Sequence, residues 1–393
     1  MTIVELYLIA LLVIFVVPWI VWRLLRIDSW VPLVVVQIVS GVLMGPGILG
    51  AFAPEVYGFV FEPKVITALN GVAWWAVSLF VFTAGIELNL KSAWQDRSQS
   101  AVIAGSALIS PLVFGSLFGL ALLQFTGWQG PKSQDWQFVL GIGMASAVTA
   151  LPILVVLMEK MNILRTALGQ RVLRCASLDD ILIWAVLAVI LMDWHRLGNQ
   201  AVFLAVYVLA AWQLRTWMPK LSDSDRWAVA IIWLVTCALL ADWAGLHYMV
   251  GAFLAGVIID SEWFDQAQMD SFRHTVLLVM MPVFFLSTGL RTSWELGGLT
   301  VILVALALFA VQFFSKQLGV RIAGRYLGWD STQTKVIGYL LQTKALIEII
   351  FASVLLDKGI ITSAMFTVLL LMALISTVVT TPLVRPLLKD SRS

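Results

Sequence analysis

The chain has 393 residues, of which 61% are hydrophobic and 12% charged, with a formal net charge of +2. Soluble domains average about 25% charged residues, so the composition is that of an integral membrane protein, and a charge this near balance gives no reason to expect a nucleic-acid partner. Two cysteines in different apolar runs and three scattered histidines argue against a disulfide framework and a metal cluster.

Apolar runs approaching the roughly 20 residues that cross a bilayer cover 3–23, 30–50, 66–89, 100–126, 136–159, 166–192, 199–218, 227–243, 245–260, 274–291, 297–320, 334–356 and 361–384. The first run carries Glu5 and lacks a basic leader and a small-residue cleavage site, so it reads as a span, not a signal peptide. The expectation is an all-α polytopic protein of 13 transmembrane helices. An odd count puts the termini on opposite sides. Connections after odd-numbered spans, with the C-terminal tail, carry 18 lysines and arginines, against five on the other side. By the positive-inside rule the C-terminus is cytoplasmic and the N-terminus outside. Many of the 18 tryptophans, among them Trp19, Trp22, Trp217, Trp227 and Trp294, fall near span ends, where interfacial anchors belong.

Two pairs of segments repeat. "IVSGVLMG" (38–45) matches "MVGAFLAG" (249–256), and "LFVFTAGIEL" (79–88) matches "VFFLSTGLRT" (283–292), at offsets of 211 and 204 residues. Each pair lies seven spans apart, so its members cross the membrane in opposite directions. The layout is a 6+1+6 inverted repeat within one transmembrane unit over 1–393: six spans in 1–192, a linking span at 199–218, and six inverted spans in 227–393. Inverted repeats of this kind place a substrate site near the midplane, often on broken helices.

The sixth span, "RCASLDDILIWAVLAVILM" (174–192), holds Asp179 and Asp180 side by side. One carboxylate at the bilayer centre costs roughly 2.5–3.5 kcal/mol on insertion scales. Adjacent helical residues point about 100° apart, so one acid can face a cavity while the other faces a neighbouring helix. Burial and mutual repulsion disfavour two simultaneous charges, and carboxylate oxygens suit a hard cation. Such a site can hold either a proton or a cation. Lys316, in "FFSKQLGV" at the cytoplasmic end of the eleventh span, is a possible partner for the pair; the alternative is a lysine snorkelling to the interface. Lys344 and Glu348, four apart in "LQTKALIEIIFA", could pair and neutralise broken-helix ends or Glu87; with Glu87 they are expected to be structural or gating charges. "ASAVTALP" (145–152) occupies the equivalent place seven spans earlier, where Thr149 and Pro152 favour an interrupted helix. Glu87 reads as a solvated or structural carboxylate near a cytoplasmic boundary. Asp242 and His247 read as capping groups of a tight turn.

At these residues the sequence resembles the monovalent cation:proton antiporters, in the branch with NapA-type Na⁺/H⁺ antiporters, Kef systems and plant cation/proton exchangers. The similar stretches are "GVLMGPGILG" (41–50), "FTAGIELNL" (82–90), "SAVTALPILVVLMEKMNIL" (146–164), "ASLDDILIW" (176–184), "GLHYMVGAFLAGVII" (245–259), "MPVFFLSTGL" (281–290), "SKQLG" (315–319) and "TKALIEII" (343–350). The resemblance implies a homodimer with a mobile core in a bacterial plasma (inner) membrane, exchanging H⁺ for Na⁺ or Li⁺ and serving cation and pH homeostasis. It puts Asp180 on the ion- and proton-carrying aspartate, Asp179 on its partner and Thr149 on the unwound segment beside them. It also makes Lys316 the charge partner of electrogenic members. Membrane lipid, the cation and H⁺ are the expected partners; no cofactor is expected, nor any metal beyond the transported cation. "TKALIE" is closer to plant-type potassium exchangers, so K⁺/H⁺ exchange is the alternative, with a gated K⁺ efflux channel behind it. No nucleophile, metal or cofactor constellation suggests an enzyme, and no nucleotide-binding regulatory region is expected after Ser393.

Overall fold

Lipid offers no hydrogen bonds, so backbone inside a bilayer must pair internally, and helix follows hydropathy along this chain. The computed structural model describes residues 1–26, 31–87, 97–164, 166–192 and 196–390. The main helices are α1 (Ile3–Leu24), α2 (Leu33–Leu43), α3 (Pro63–Ile86), α4 (Arg97–Leu122), α5 (Asp135–Ala147), α6 (Leu151–Lys160), α7 (Ala167–Ile190) and α8 (Leu197–Trp217). They continue with α9 (Asp223–Trp243), α10 (Tyr248–Ile258), α11 (Gln266–Leu290), α12 (Gly298–Tyr326), α13 (Ser331–Leu340), α14 (Ala345–Asp357) and α15 (Ser363–Asp390). Among the described residues, eight helices are long and apolar enough to cross a membrane.

Local chemistry sets the ends. Pro63 begins α3, where its missing N–H is no loss. The side chains of Ser222, His247 and Asp330 cap α9, α10 and α13 by accepting from Asp225 N, Met249 N and Thr332 N. Asp330 also accepts from Gln333 N, and these backbone donors hold its carboxyl below the usual range. Several boundaries differ from the hydropathy reading. The second span is a helix only to Leu43, because Gly45 and Pro46 turn the chain into short helical pieces at Leu49–Phe52 and Pro54–Val60. Helix α12 runs on to Tyr326, past Arg321 and Arg325, whose exposed side chains need no apolar surroundings. Lys316 therefore sits well inside a helix and is fully buried, which removes the snorkelling alternative. The tenth span begins earlier, at Gln266, and contains a π turn at Val276–Met280.

The helices form two compact units. The first comprises Met1–Phe15, Glu55–Asn89 and Leu191–Ser287; the second comprises Val16–Pro54, Leu90–Ile190 and Thr288–Ser393. Each draws on both halves of the chain. In the first unit, α3 and α10 cross at Gly85 and Gly256: a Cβ on Gly256 would lie 2.1 Å from Phe82 O, and one on Gly85 2.5 Å from Phe253 O. Tyr207 of α8 and Trp233 of α9 donate to Leu254 O and Ala255 O, satisfying last-turn carbonyls of α10 at 2.8 and 3.2 Å. In the second unit, α2 meets the end of α11 in the same manner, a Cβ on Gly289 falling 2.1 Å from Gly41 C. Helix α4 packs on α5 and α12 through small residues: a Cβ on Gly143 would reach Ser116 Oγ at 2.1 Å, and one on Gly319 would reach Ser106 O at 2.1 Å. Without a hydrophobic drive between helices in lipid, close approach of small residues supplies the packing.

These crossings give a stability prediction. Gly289→Ala and Gly256→Ala each force a methyl into backbone and should lose about 1–3 kcal/mol, as overpacking does. Gly71→Ala in α3 meets open space and should be neutral or gain up to about 1 kcal/mol from helix propensity. Thermal unfolding in detergent distinguishes them; equal melting temperatures for all three would contradict the packing described.

Candidate functional site

The site grows from two breaks in helices of the second unit. Helix α5 ends at Ala147 and α6 starts at Leu151, leaving Val148–Ala150 extended; α13 ends at Leu340 and α14 starts at Ala345. The breaks touch, since Ala150 N donates to Thr343 O at 2.7 Å. Each exposes terminal groups that an unbroken helix would pair internally.

Two lysines answer the carbonyl end of α5. Lys344 Nζ donates to Ala145 O (2.7 Å), Ser146 O (2.9 Å) and Val148 O (3.2 Å). Lys316 Nζ, from α12, donates to Ala147 O (2.7 Å), Val148 O (3.3 Å) and Thr149 Oγ1 (2.6 Å). Both side chains are fully buried. A cation at a helix C-terminus is favoured by the partial negative charge of the unpaired carbonyls, and an ammonium has three donors to give. All three are used in each case.

Thr149 connects this cap to the acid. Its hydroxyl accepts from Lys316 and stands 2.8 Å from Asp179 Oδ2 and 3.0 Å from Leu341 O. It has one proton for two acceptors, and the carboxylate is the stronger because hydrogen bonds to ionised groups are roughly twice as strong. Lys316 Nζ is 3.9 Å from Asp179 Oδ2, an ion pair without a direct hydrogen bond. Asp179 is fully buried, and its Oδ1 has no partner among the described residues. Asp180 follows on α7, and its side chain lies outside the described residues.

Glu348, in the first turn of α14, stands 3.5 Å from Lys344 Nζ and is fully buried. An acid there complements the positive N-terminal end of the half-helix. Glu87 is elsewhere: it follows α3 in the first unit and pairs with Arg273 Nη1 at 2.9 Å, while Arg273 also bridges Asp270. His247 caps α10 through Nδ1, as its place in the turn suggested.

The structure thus brings Thr149, Asp179, Lys316, Lys344 and Glu348 together in the second unit, while Glu87 belongs to the first and pairs there with Arg273. Sequence reasoning missed the most numerous participants, the backbone carbonyls of Ala145–Val148, because any residue type supplies a carbonyl. The visible signal was indirect: two lysines in apolar runs, one of them beside an expected helix break.

Residues 11–390 match the family described as sodium/hydrogen exchanger, transmembrane. Cation/H(+) antiporter 17 of Arabidopsis thaliana is 27% identical over 381 residues, which are 92% of this chain and 46% of that protein, so the chain spans about half the length of this plant relative. Na(+)/H(+) antiporter NhaS4 of Synechocystis is 28% identical over 373 residues, 90% of each chain. The solved structure of the sodium proton antiporter MjNhaP1 from Methanocaldococcus jannaschii aligns with a TM-score of 0.62 at 14% identity, covering 99% of both chains, a likeness of fold. The family match runs through nearly every helix described above, and the chain belongs to the sodium/hydrogen exchanger transmembrane family of multi-pass cation/proton antiporters.

Proposed function

We propose that the chain exchanges H⁺ for Na⁺ (or Li⁺) by alternating access, with Asp180 as the shared cation and proton site and Asp179 and Thr149 completing it. The observation that carries this reading is a charge imbalance. The two breaks bring two buried lysines together with two buried acids, Asp179 and Glu348, and this reading adds Asp180, the next residue of α7, as a third acid. Fully ionised, they leave one negative charge that a proton or a monovalent cation cancels. The open Oδ1 of Asp179 supplies a second oxygen for a hard cation.

The same geometry supports electrogenic exchange. With a cation bound between the two carboxylates, Lys316 loses its acidic partner and releases a proton. With Asp180 protonated, Lys316 recovers its proton and its pairing with Asp179 through Thr149. Two protons then leave for each cation taken up, and one net positive charge crosses per cycle. In this reading Lys344 and Glu348 hold the carbonyl end of α5 and the start of α14.

The wider architecture we propose is 13 spans in an inverted repeat, N-terminus outside, C-terminus cytoplasmic, as a homodimer in a bacterial plasma membrane. The glycine crossings support the repeat. Gly85 and Gly256, shifted by the offsets of 204 and 211, become Gly289 and Gly45, and a Cβ on Gly45 would lie 2.9 Å from Gly289 O. K⁺/H⁺ exchange is the second reading, favoured by the "TKALIE" stretch at Lys344.

In liposomes with an acid interior, addition of external Na⁺ or Li⁺ should alkalinise the lumen, and Asp180→Asn should abolish the response. A response to K⁺ alone would replace the first reading with the second; none to any cation, in vesicles that hold their gradient, would overturn both. Lys316→Gln should retain Na⁺-dependent exchange at a reduced rate and lose its acceleration by membrane potential. Lys344→Met should lose about 3–5 kcal/mol of stability by stranding Glu348, and Lys344→Met/Glu348→Gln should recover part of it. A double variant as unstable as the single would show that the carbonyl cap, not the ion pair, dominates.

A further inference from the structure

Native proteins pair nearly all buried polar groups, with protein or with ordered water. Among the described residues, eleven buried side-chain polar atoms lack a hydrogen-bond partner in the protein, and eight of them lie on α12, on α14, or at the break between α13 and α14. They are not scattered. Gln317 of α12 has both amide atoms unpaired, and its amide rests against Gly338 of α13, where a Cβ would come within 2.5 Å of Oε1. Four residues beyond Gly338, in the break, Gln342 gives its Nε2 to Phe313 O at 3.0 Å and leaves Oε1 unpaired. Thr343 Oγ1 follows, then both oxygens of Glu348 at the head of α14, then Ser353 Oγ. Gln312, joined to Gln342 O through Ser376 Oγ (3.2 and 2.6 Å), adds another open oxygen beside them.

We propose that this seam between α12 and the broken α13–α14 helix holds a column of internal water that carries protons between Gln317 and Glu348, giving the Lys344–Glu348 pair a proton access separate from Asp179. Each open amide or hydroxyl is a docking point for a water, and a buried water needs two to four polar partners. Most of these open atoms are acceptors, which water serves by donating, while Gln317 Nε2 and the hydroxyls of Thr343 and Ser353 can donate in turn. Among the described residues, the charged groups facing Glu348 are Lys344, from the turn before it, and Lys316, from α12; Asp179 faces both lysines. A proton arriving at Glu348 leaves Lys344 bound to the α5 carbonyls, so the cap survives the change of charge. The use of these protons rests on the antiport reading; the hydration does not.

The test is pulsed X-ray radiolysis of the full chain in lipid nanodiscs in ¹⁸O-water, read by mass spectrometry. Ordered water generates hydroxyl radicals in place, and the stacked rings of Phe313 and Tyr339, 6.0 Å apart, lie along the seam. Labelling there, normalised to the exposed Tyr326, should fall by about threefold or more in Gln317→Leu and in Gln342→Leu, which remove water partners. A dry seam would show labelling unchanged in both variants, with Gln317→Leu melting higher because an unpaired amide is gone. That outcome would overturn the proposal. If Gln317→Leu does not fold, Gln317→Met gives the same readout. Labelling without antiport would refute the function proposed above and leave the water column standing; antiport without labelling would do the reverse.

Discussion

Everything at the centre of the second unit depends on the carbonyl end of α5. A helix that stops inside a bilayer leaves carbonyls without donors, and each would be costly in a medium that supplies none. Here the carbonyls of Ala145, Ser146, Ala147 and Val148 take up donors from two ammonium groups that arrive from other helices. The arrangement satisfies two difficulties at once, since a buried lysine is itself expensive unless its protons are placed. It also explains why acids follow. Two cations beside one helix end overcompensate it, and Asp179 and Glu348 bring the count back towards neutrality.

The functional reading grows from that electrostatic frame. Lys316 is tied to the break by three hydrogen bonds and to Asp179 only through Thr149 and a 3.9 Å ion pair. A cation can therefore take Asp179 from Lys316 without unseating the lysine from its carbonyls. Lys344 is the more firmly held of the two, with three backbone carbonyls as partners and an acid one turn away. The two lysines look alike in sequence and differ in what their departure would cost. Around them, α4 lies close to α5 and α12 because glycine and serine line the contacts, which fixes Ala147 and Lys316 relative to each other.

Much of this was legible in the sequence, for reasons that can be named. Asp179 and Asp180 stand out because hydropathy makes any acid in an apolar run conspicuous. The break after Ala147 was readable from Pro152 and the polar residues before it. The short α2 and the long α12 were not, because hydropathy reports burial in lipid and not where Gly45–Pro46 turns the chain or where an amphipathic end continues as helix to Tyr326. Lys344 was expected beside Glu348, and it is, but its main partners lie almost 200 residues earlier on the backbone, where side-chain identity carries no information. Lys316 stands 3.9 Å from Asp179, a contact that spacing along one helix could not specify. Glu87 finds Arg273, a pairing that spacing could not suggest.

The claim that one acidic site holds either protons or a cation is tested most directly by counting protons at binding. Purified protein in weakly buffered detergent solution would be titrated with NaCl while the pH is followed, with choline chloride as the ionic-strength control. The account predicts proton release that saturates with Na⁺, rises towards two per chain, and is lost in Asp180→Asn. Saturable Na⁺ binding with no proton released would contradict it.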